Sequence, residues 1–216
     1  MKLQDRLRLM VLTHPAPACG RPLIDVVAEC VRAGASAIQL RDKEVDGRQL
    51  AEAAAALLSV TREAGVLLIV NDRLDVALAA GADGVHLGPR DIPLAAARAI
   101  SPPGFLLGYS TDDPDTGRTA AEDGADYLGV GAVYPTRSKP GLENEAIGPR
   151  QVGLVLRAAG LPGVGIGGIT ARNAAAVLET GAGLAVISEV MAASDPAERV
   201  RALLTVTVAP GEPPHR

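Results

Sequence analysis

Hydrophobic positions along the chain fall into short runs, and each run is followed by an Ala-rich stretch with helical spacing. The runs cover residues 7–13, 37–41, 66–71, 84–88, 105–110, 127–133, 163–169 and 184–188. Short, nearly continuous apolar runs closed by glycine or a polar residue predict strands buried on both faces. The intervening stretches predict helices over 23–33, 47–64, 73–80, 93–100, 114–123, 149–159 and 171–180, with a last one near 196–206. The phrase Gly-Ala recurs ahead of strands, in "AGASAIQL", "AGADGVHL", "DGADYLGV" and "TGAGLAVI". A glycine just past a helix is the usual left-handed C-cap, so the phrase marks repeated helix-to-strand joints. Strands that alternate with helices pair in parallel through right-handed crossovers. Eight such units predict an α/β fold, a single (β/α)8 TIM barrel over 1–208, with a doubly wound open sheet as the alternative. The Pro- and Gly-rich segment 209–216 reads as a frayed tail.

Composition narrows the function. Hydrophobic residues make up 48% of the 216 positions but aromatics only 2%, so the core must be built from Ala, Val, Leu and Ile. So few aromatic faces argue against a stacking platform for single-stranded nucleic acid. A net charge of -4 without any basic run argues against nucleic acid and anionic membranes as partners. No signal-peptide core or membrane-length apolar run is present. The expectation is a soluble cytoplasmic protein acting on small molecules, and a homo-oligomer is compatible with the sequence. Cys19 and Cys30 lack metal or redox spacing and read as inert thiols.

Polar residues gather where the predicted strands end, which is where barrels carry their active sites. Three groupings emerge. The first is anionic: Asp72, closing "VLLIVND", and Asp91, in "GVHLGPRD". Two carboxylates with room for water suit Mg2+, which shares its shell with substrate phosphate. Each aspartate also fits the ordinary role of capping the next helix. The second grouping is cationic: Arg41, Lys43 and Lys139, with Arg137 nearby. Beside a Mg2+ site these imply a phosphate or diphosphate ligand. For Arg41 a structural ion pair with Asp42 or Glu44 is the competing role. The third is glycine-rich: "GIGG" at 165–168, with Ile187 and Ser188 after the last strand. Loops after the seventh and eighth strands of a barrel commonly bind phosphate through backbone N–H groups. Tight packing also accounts for such glycines. His86 reads as a packed, hydrogen-bonded core histidine, and His14 has no assigned role.

Taken in order, "QLRDK" at 39–43, "ND" at 71–72, Asp91, "GYST" at 108–111, "GAVYPTRSKPG" at 131–141 and "GIGGIT" at 165–170 resemble the thiamine phosphate synthase family over nearly the whole chain. The resemblance implies condensation of an aminopyrimidine methyl diphosphate with a hydroxyethylthiazole phosphate. Diphosphate would leave first, and the thiazole nitrogen would capture the pyrimidine methyl cation. It further implies that Gln39, Leu40, Arg41, Asp42, Lys43, Asn71, Ser110 and Lys139 hold the pyrimidine diphosphate, with Arg41, Lys43, Ser110 and Lys139 catalytic. Asp72 and Asp91 would bind Mg2+. Thr136, Arg137, Ser138, Gly168, Ile187 and Ser188 would contact the thiazole phosphate. The chain departs from the family pattern at Pro89, Asp112, Glu189 and the shortened "GAG" at 181–183, the last two expected on the thiazole phosphate side. A thiazole tautomerase, which generally lacks the metal pair and relies on a histidine where Asp112 stands, is one alternative. A non-catalytic regulatory barrel that binds a thiamine precursor is the other.

Overall fold

The structure, a computed structural model, describes residues 2–14, 20–136 and 146–208. Its strands are β1 (Leu9–Leu12), β2 (Ala37–Leu40), β3 (Leu67–Asn71), β4 (Gly84–Leu87), β5 (Leu106–Ser110), β6 (Tyr127–Val130), β7 (Gly163–Ile166) and β8 (Gly183–Val186). All pair in parallel and in chain order, and β8 closes back on β1. The predicted (β/α)8 barrel is therefore present, and the open-sheet alternative is excluded. The helices are α1 (Leu3–Arg6), α2 (Leu23–Arg32), α3 (Gly47–Glu63), α4 (Leu74–Ala80), α5 (Leu94–Ile100), α6 (Pro114–Glu122), α7 (Gly148–Ala159), α8 (Ala174–Leu178), α9 (Ser188–Met191) and α10 (Pro196–Leu204). No described helix is long and apolar enough to cross a membrane. The segment 209–216 lies outside the described residues.

Two elements have no counterpart in the sequence reading. Each of α1 and α9 is a single turn, too short to show a helical period. Where strands were expected to run longer, the apolar run continues as buried loop. Val133 and Tyr134 leave β6 but still donate to the carbonyls of Ile166 and Gly167.

The strands have two buried faces because each separates two cores. Leu9, Val11, Ile38, Leu40, Leu68 and Val70 pack outward against the helices. Met10, Leu12, Ala37, Leu67, Ile69, Tyr127, Val164 and Ala185 fill the barrel interior. The period of two along a strand fixes this alternation. It also decides which polar residues can face the barrel axis: Gln39 and Arg41 share the parity of Ala37, and Asn71 that of Ile69.

The lower end of the barrel is sealed by side chains in the Gly-Ala joints. Ser36 Oγ accepts from Leu9 N–H at 2.9 Å, Asp83 from Leu68 N–H at 2.8 Å and Asp126 from Leu107 N–H at 2.7 Å. Each residue follows a Gly-Ala pair and satisfies a donor on the preceding strand. Asp126 is also paired with Arg98, whose guanidinium bonds the carbonyls of Phe105 and Gly124. Cys30 is wholly buried, and burial pushes its thiol up to about 12, as an inert core thiol requires. Cys19 lies outside the described residues.

Candidate active site

A cavity of about 510 Å³ opens at the C-terminal ends of the strands. Asp72 and Asp91 stand together on its wall. Neither performs the capping role open to it in the sequence. The N-cap of α4 is Arg73 and that of α5 is Pro93, and neither helix start has a side-chain cap. Instead Asp91 accepts from Gly88 N–H at 2.7 Å, closing its own loop. Asp72 has φ of 63°, the only non-glycine residue in the left-handed region among those described. Its N–H donates across to the His86 carbonyl at 2.8 Å. That conformation costs roughly 1–2 kcal/mol even where aspartate tolerates it. It turns the carboxylate away from α4 and toward Asp91. Burial, and then the neighbouring Asp72 carboxylate, pushes the Asp91 carboxyl above the ordinary carboxylate range.

Two carboxylates so close repel each other unless a cation or proton lies between them. Lys43 supplies part of the charge through an ion pair with Asp72 at 2.9 Å. A divalent cation fits this donor set: hard oxygens, two protein carboxylates, and an open cavity for further oxygen ligands. Among the described residues no cluster of three or more metal-binding side chains occurs, so such a cation would complete its shell with water and substrate.

Arg41 lines the same wall and has no ion pair among the described residues. Its backbone is fixed through Thr13, whose hydroxyl accepts from Arg41 N–H at 2.8 Å and donates to the Arg41 carbonyl at 3.1 Å. The structural pair with Asp42 or Glu44 does not form. Asp42 instead accepts from Glu44 N–H at 2.9 Å in a local turn. Gln39, buried on the interior face, points its amide N–H at Met10 Sδ at 3.3 Å, and its carbonyl oxygen has no hydrogen-bond partner. A buried acceptor left unpaired costs roughly 1–3 kcal/mol, which a ligand donor would relieve after the amide turns.

Across the cavity stand Gly168, Ile187, Ser188 and Thr136. Gly168 is fixed by packing. Its φ is 63° and a Cβ there would sit 2.6 Å from the Pro135 carbonyl, so the loop packs too tightly for any other residue. It nevertheless borders the cavity.

Residues 9–190 match the family described as thiamine monophosphate synthase. The chain belongs to the thiamine monophosphate synthase family. It is 45% identical over 203 residues to the thiamine-phosphate synthase of Coprothermobacter proteolyticus, covering 94% of this chain and 95% of that one. It is 49% identical over 197 residues to the thiamine-phosphate synthase of Roseiflexus castenholzii, covering 91% and 86%. The solved thiamine phosphate pyrophosphorylase of Pyrococcus furiosus superposes with a TM-score of 0.85 at 39% identity, covering 94% of this chain and 96% of that one.

Of the residues the family resemblance nominated, the structure brings Gln39, Arg41, Lys43, Asn71, Asp72, Asp91, Ser110, Thr136, Gly168, Ile187 and Ser188 to one cavity. Two nominated residues are not on its wall. Leu40 has the opposite strand parity and packs among the helices, and Asp42 is engaged in its turn. Arg137, Ser138 and Lys139 lie outside the described residues. Two polar wall residues not foreseen as site residues stand out, Arg90 and His86. Arg90 adds a third cation beside Asp91, a placement its position in the same loop could have signalled. His86 is packed and hydrogen-bonded as expected, yet it also borders the cavity and bonds Ser110.

The departures from the thiamine monophosphate synthase pattern separate spatially. Pro89 and Glu189 border the cavity. Asp112 is exposed, away from the wall, its carbonyl accepting from Gln151. The shortened joint at 181–183 lies at the opposite end of the barrel, so it does not touch the phosphate side as expected. Glu189 also borders an adjoining cavity of about 490 Å³ with Thr170, Ser188, Arg172 and Arg199. A carboxylate beside a loop that held a phosphate would repel that ligand. If the wall beside Glu189 holds a substrate's phosphate, Glu189→Gln is expected to lower the KM for that substrate about fivefold, as one screened like-charge contact dictates. Steady-state kinetics with that substrate varied would show it; a raised KM would mean that the carboxylate assists binding.

Proposed function

We propose that this chain is a Mg2+-dependent thiamine phosphate synthase acting in the cytoplasm, a transferase of thiamine biosynthesis. Its substrates are 4-amino-2-methyl-5-(diphosphooxymethyl)pyrimidine and 4-methyl-5-(2-phosphooxyethyl)thiazole. The observation that carries the reading is the facing of Asp72 and Asp91, turned from their helices toward each other, beside Arg41 and Lys43.

Arg41 and Lys43, with Lys139, hold the diphosphate, while Gln39, Asn71 and Ser110 orient the pyrimidine. The C–O bond to the diphosphate breaks with its electron pair departing on oxygen. Mg2+ held by Asp72 and Asp91 would neutralise charge developing on that leaving group. The thiazole nitrogen then donates its lone pair to the methylene carbon, forming the C–N bond of thiamine phosphate. Thr136, Gly168, Ile187 and Ser188 hold the thiazole phosphate on the far wall, and the family resemblance assigns Arg137 and Ser138 to the same phosphate. The apolar interior around Met10, Leu12 and Ile166 limits water, which would otherwise capture the cation.

The carboxylate pair and its cations weigh against a regulatory barrel or a tautomerase, neither of which uses a diphosphate leaving group. The test combines both substrates with Mg2+ and the purified protein, assaying thiamine phosphate with and without EDTA. Product that disappears on chelation and returns with Mg2+ is expected. Absence of product under saturating substrates and Mg2+ would overturn the reading.

A further inference from the structure

His86 joins two residues that the proposed chemistry does not itself connect. Its Nδ1 lies 3.1 Å from the Tyr127 hydroxyl, and its Nε2 lies 2.9 Å from Ser110 Oγ. Tyr127 is wholly buried inside the barrel, and Ser110 reaches the cavity. Two glycines leave the room this arrangement occupies. A Cβ on Gly108 would stand 2.2 Å from Tyr127 Cζ and 2.4 Å from His86 Nδ1; one on Gly129 would stand 2.8 Å from His86 Cε1.

We infer that Tyr127 and His86 form a buried relay that fixes the direction of the Ser110 hydroxyl, so that Ser110 offers its O–H to the pyrimidine diphosphate. The inference rests on the proposed function for its ligand. A neutral imidazole carries one N–H, so the chain can run in only two directions. In one, Tyr127 donates to Nδ1, Nε2–H donates to Ser110 Oγ, and the Ser110 proton is left for the cavity. In the other, Ser110 donates to Nε2 and Nδ1–H donates to Tyr127. The tyrosine proton then has no acceptor, because His86 is its only hydrogen-bond partner among the described residues. An orphaned buried donor disfavours that direction by about tenfold or more. The diphosphate oxygens and the pyrimidine ring nitrogens are acceptors, so a hydroxyl held as a donor suits that substrate. A serine turned toward His86 would present lone pairs to lone pairs. Tyr127 and His86 are thus positioning residues, acting through Ser110.

The decisive measurement is the His86 tautomer in the full-length, substrate-free protein, read from two-bond 15N–1H spectra at pH 7. His86→Gln identifies the resonances among the three histidines. A protonated Nε2 and an unprotonated Nδ1 are expected; the reverse tautomer, or an even mixture, would overturn the relay. Tyr127→Phe should then relax that bias and raise the KM for the pyrimidine diphosphate about fivefold, leaving the thiazole phosphate KM unchanged. In a Ser110→Ala background the same substitution should add nothing. An equal effect there, or a rise in both KM values, would mean that Tyr127 only packs the barrel and would overturn the inference. If the protein makes no thiamine phosphate at all, the proposed function fails, while the tautomer still decides whether the relay exists.

Discussion

Replacing Asp72 by Asn is expected to lower thiamine phosphate formation by about a thousandfold or more while leaving the barrel intact. The size follows from the proposed task. A divalent cation next to a departing diphosphate contributes several kcal/mol of charge stabilisation, and each 1.36 kcal/mol is tenfold in rate. An amide in place of one of only two carboxylates weakens that cation's hold and leaves Lys43 without its partner. Asparagine also tolerates the left-handed conformation found at this position, so the loop is kept. Removing one of two like charges relieves the repulsion that raises the Asp91 carboxyl, so unfolding should not become easier. The checks are a Mg2+ titration of activity and a thermal melt. Asp91→Asn should behave in the same way, because an amide oxygen can still accept from Gly88 N–H. Activity near that of the parent at saturating Mg2+, with either variant, would remove the metal assignment.

The sequence made most of this arrangement legible, and the limits had physical causes. Eight apolar runs set by Ala-rich amphipathic stretches identify the barrel because strands buried on both faces and helices buried on one leave different periods. The site was legible because barrel chemistry sits at strand ends, and polar residues following an apolar run stand out there. What was lost turned on parity and on contacts between strands. Leu40 belongs to the outer face of β2, so its place in "QLRDK" misleads where alternation would have excluded it. His86 looked like core because its neighbours Val85 and Leu87 are core. Its bond to Ser110 spans β4 and β5, and no pattern within one strand reports such a pair. The departure at 181–183 was visible as a missing residue, but which end of β8 it altered depends on where the strand begins.

Gly183, in that joint, carries the largest stability effect expected in the molecule. In the joints before β2, β4 and β6 a Ser or Asp follows Gly-Ala, and the strand starts one residue later. Before β8 the strand begins directly at Gly183, one residue earlier relative to its glycine cap. Gly183 lies against the segment that leads into β1, at the seam where β8 closes the barrel. A Cβ on Gly183 would lie 1.9 Å from the Leu7 carbonyl oxygen and 2.8 Å from its carbon, both backbone atoms that no rotamer change can move. Leu184 N–H donates to the Arg8 carbonyl at 3.0 Å, and the register continues through Leu9 and Leu184. Gly183→Ala must therefore push the seam apart and weaken the ladder there. Overpacking against backbone costs about 3 kcal/mol or more, and for a chain of this size that lowers Tm by roughly 6–12 °C. Gly181→Ala is the control. Its φ of 85° strains an alanine, but nothing lies within 4 Å of the added carbon, so only the conformational cost of about 1–2 kcal/mol applies. Thermal melts of both variants should place Gly183→Ala clearly below Gly181→Ala. The opposite order would mean that the seam yields more easily than its backbone contacts imply, and that barrel closure does not depend on this glycine.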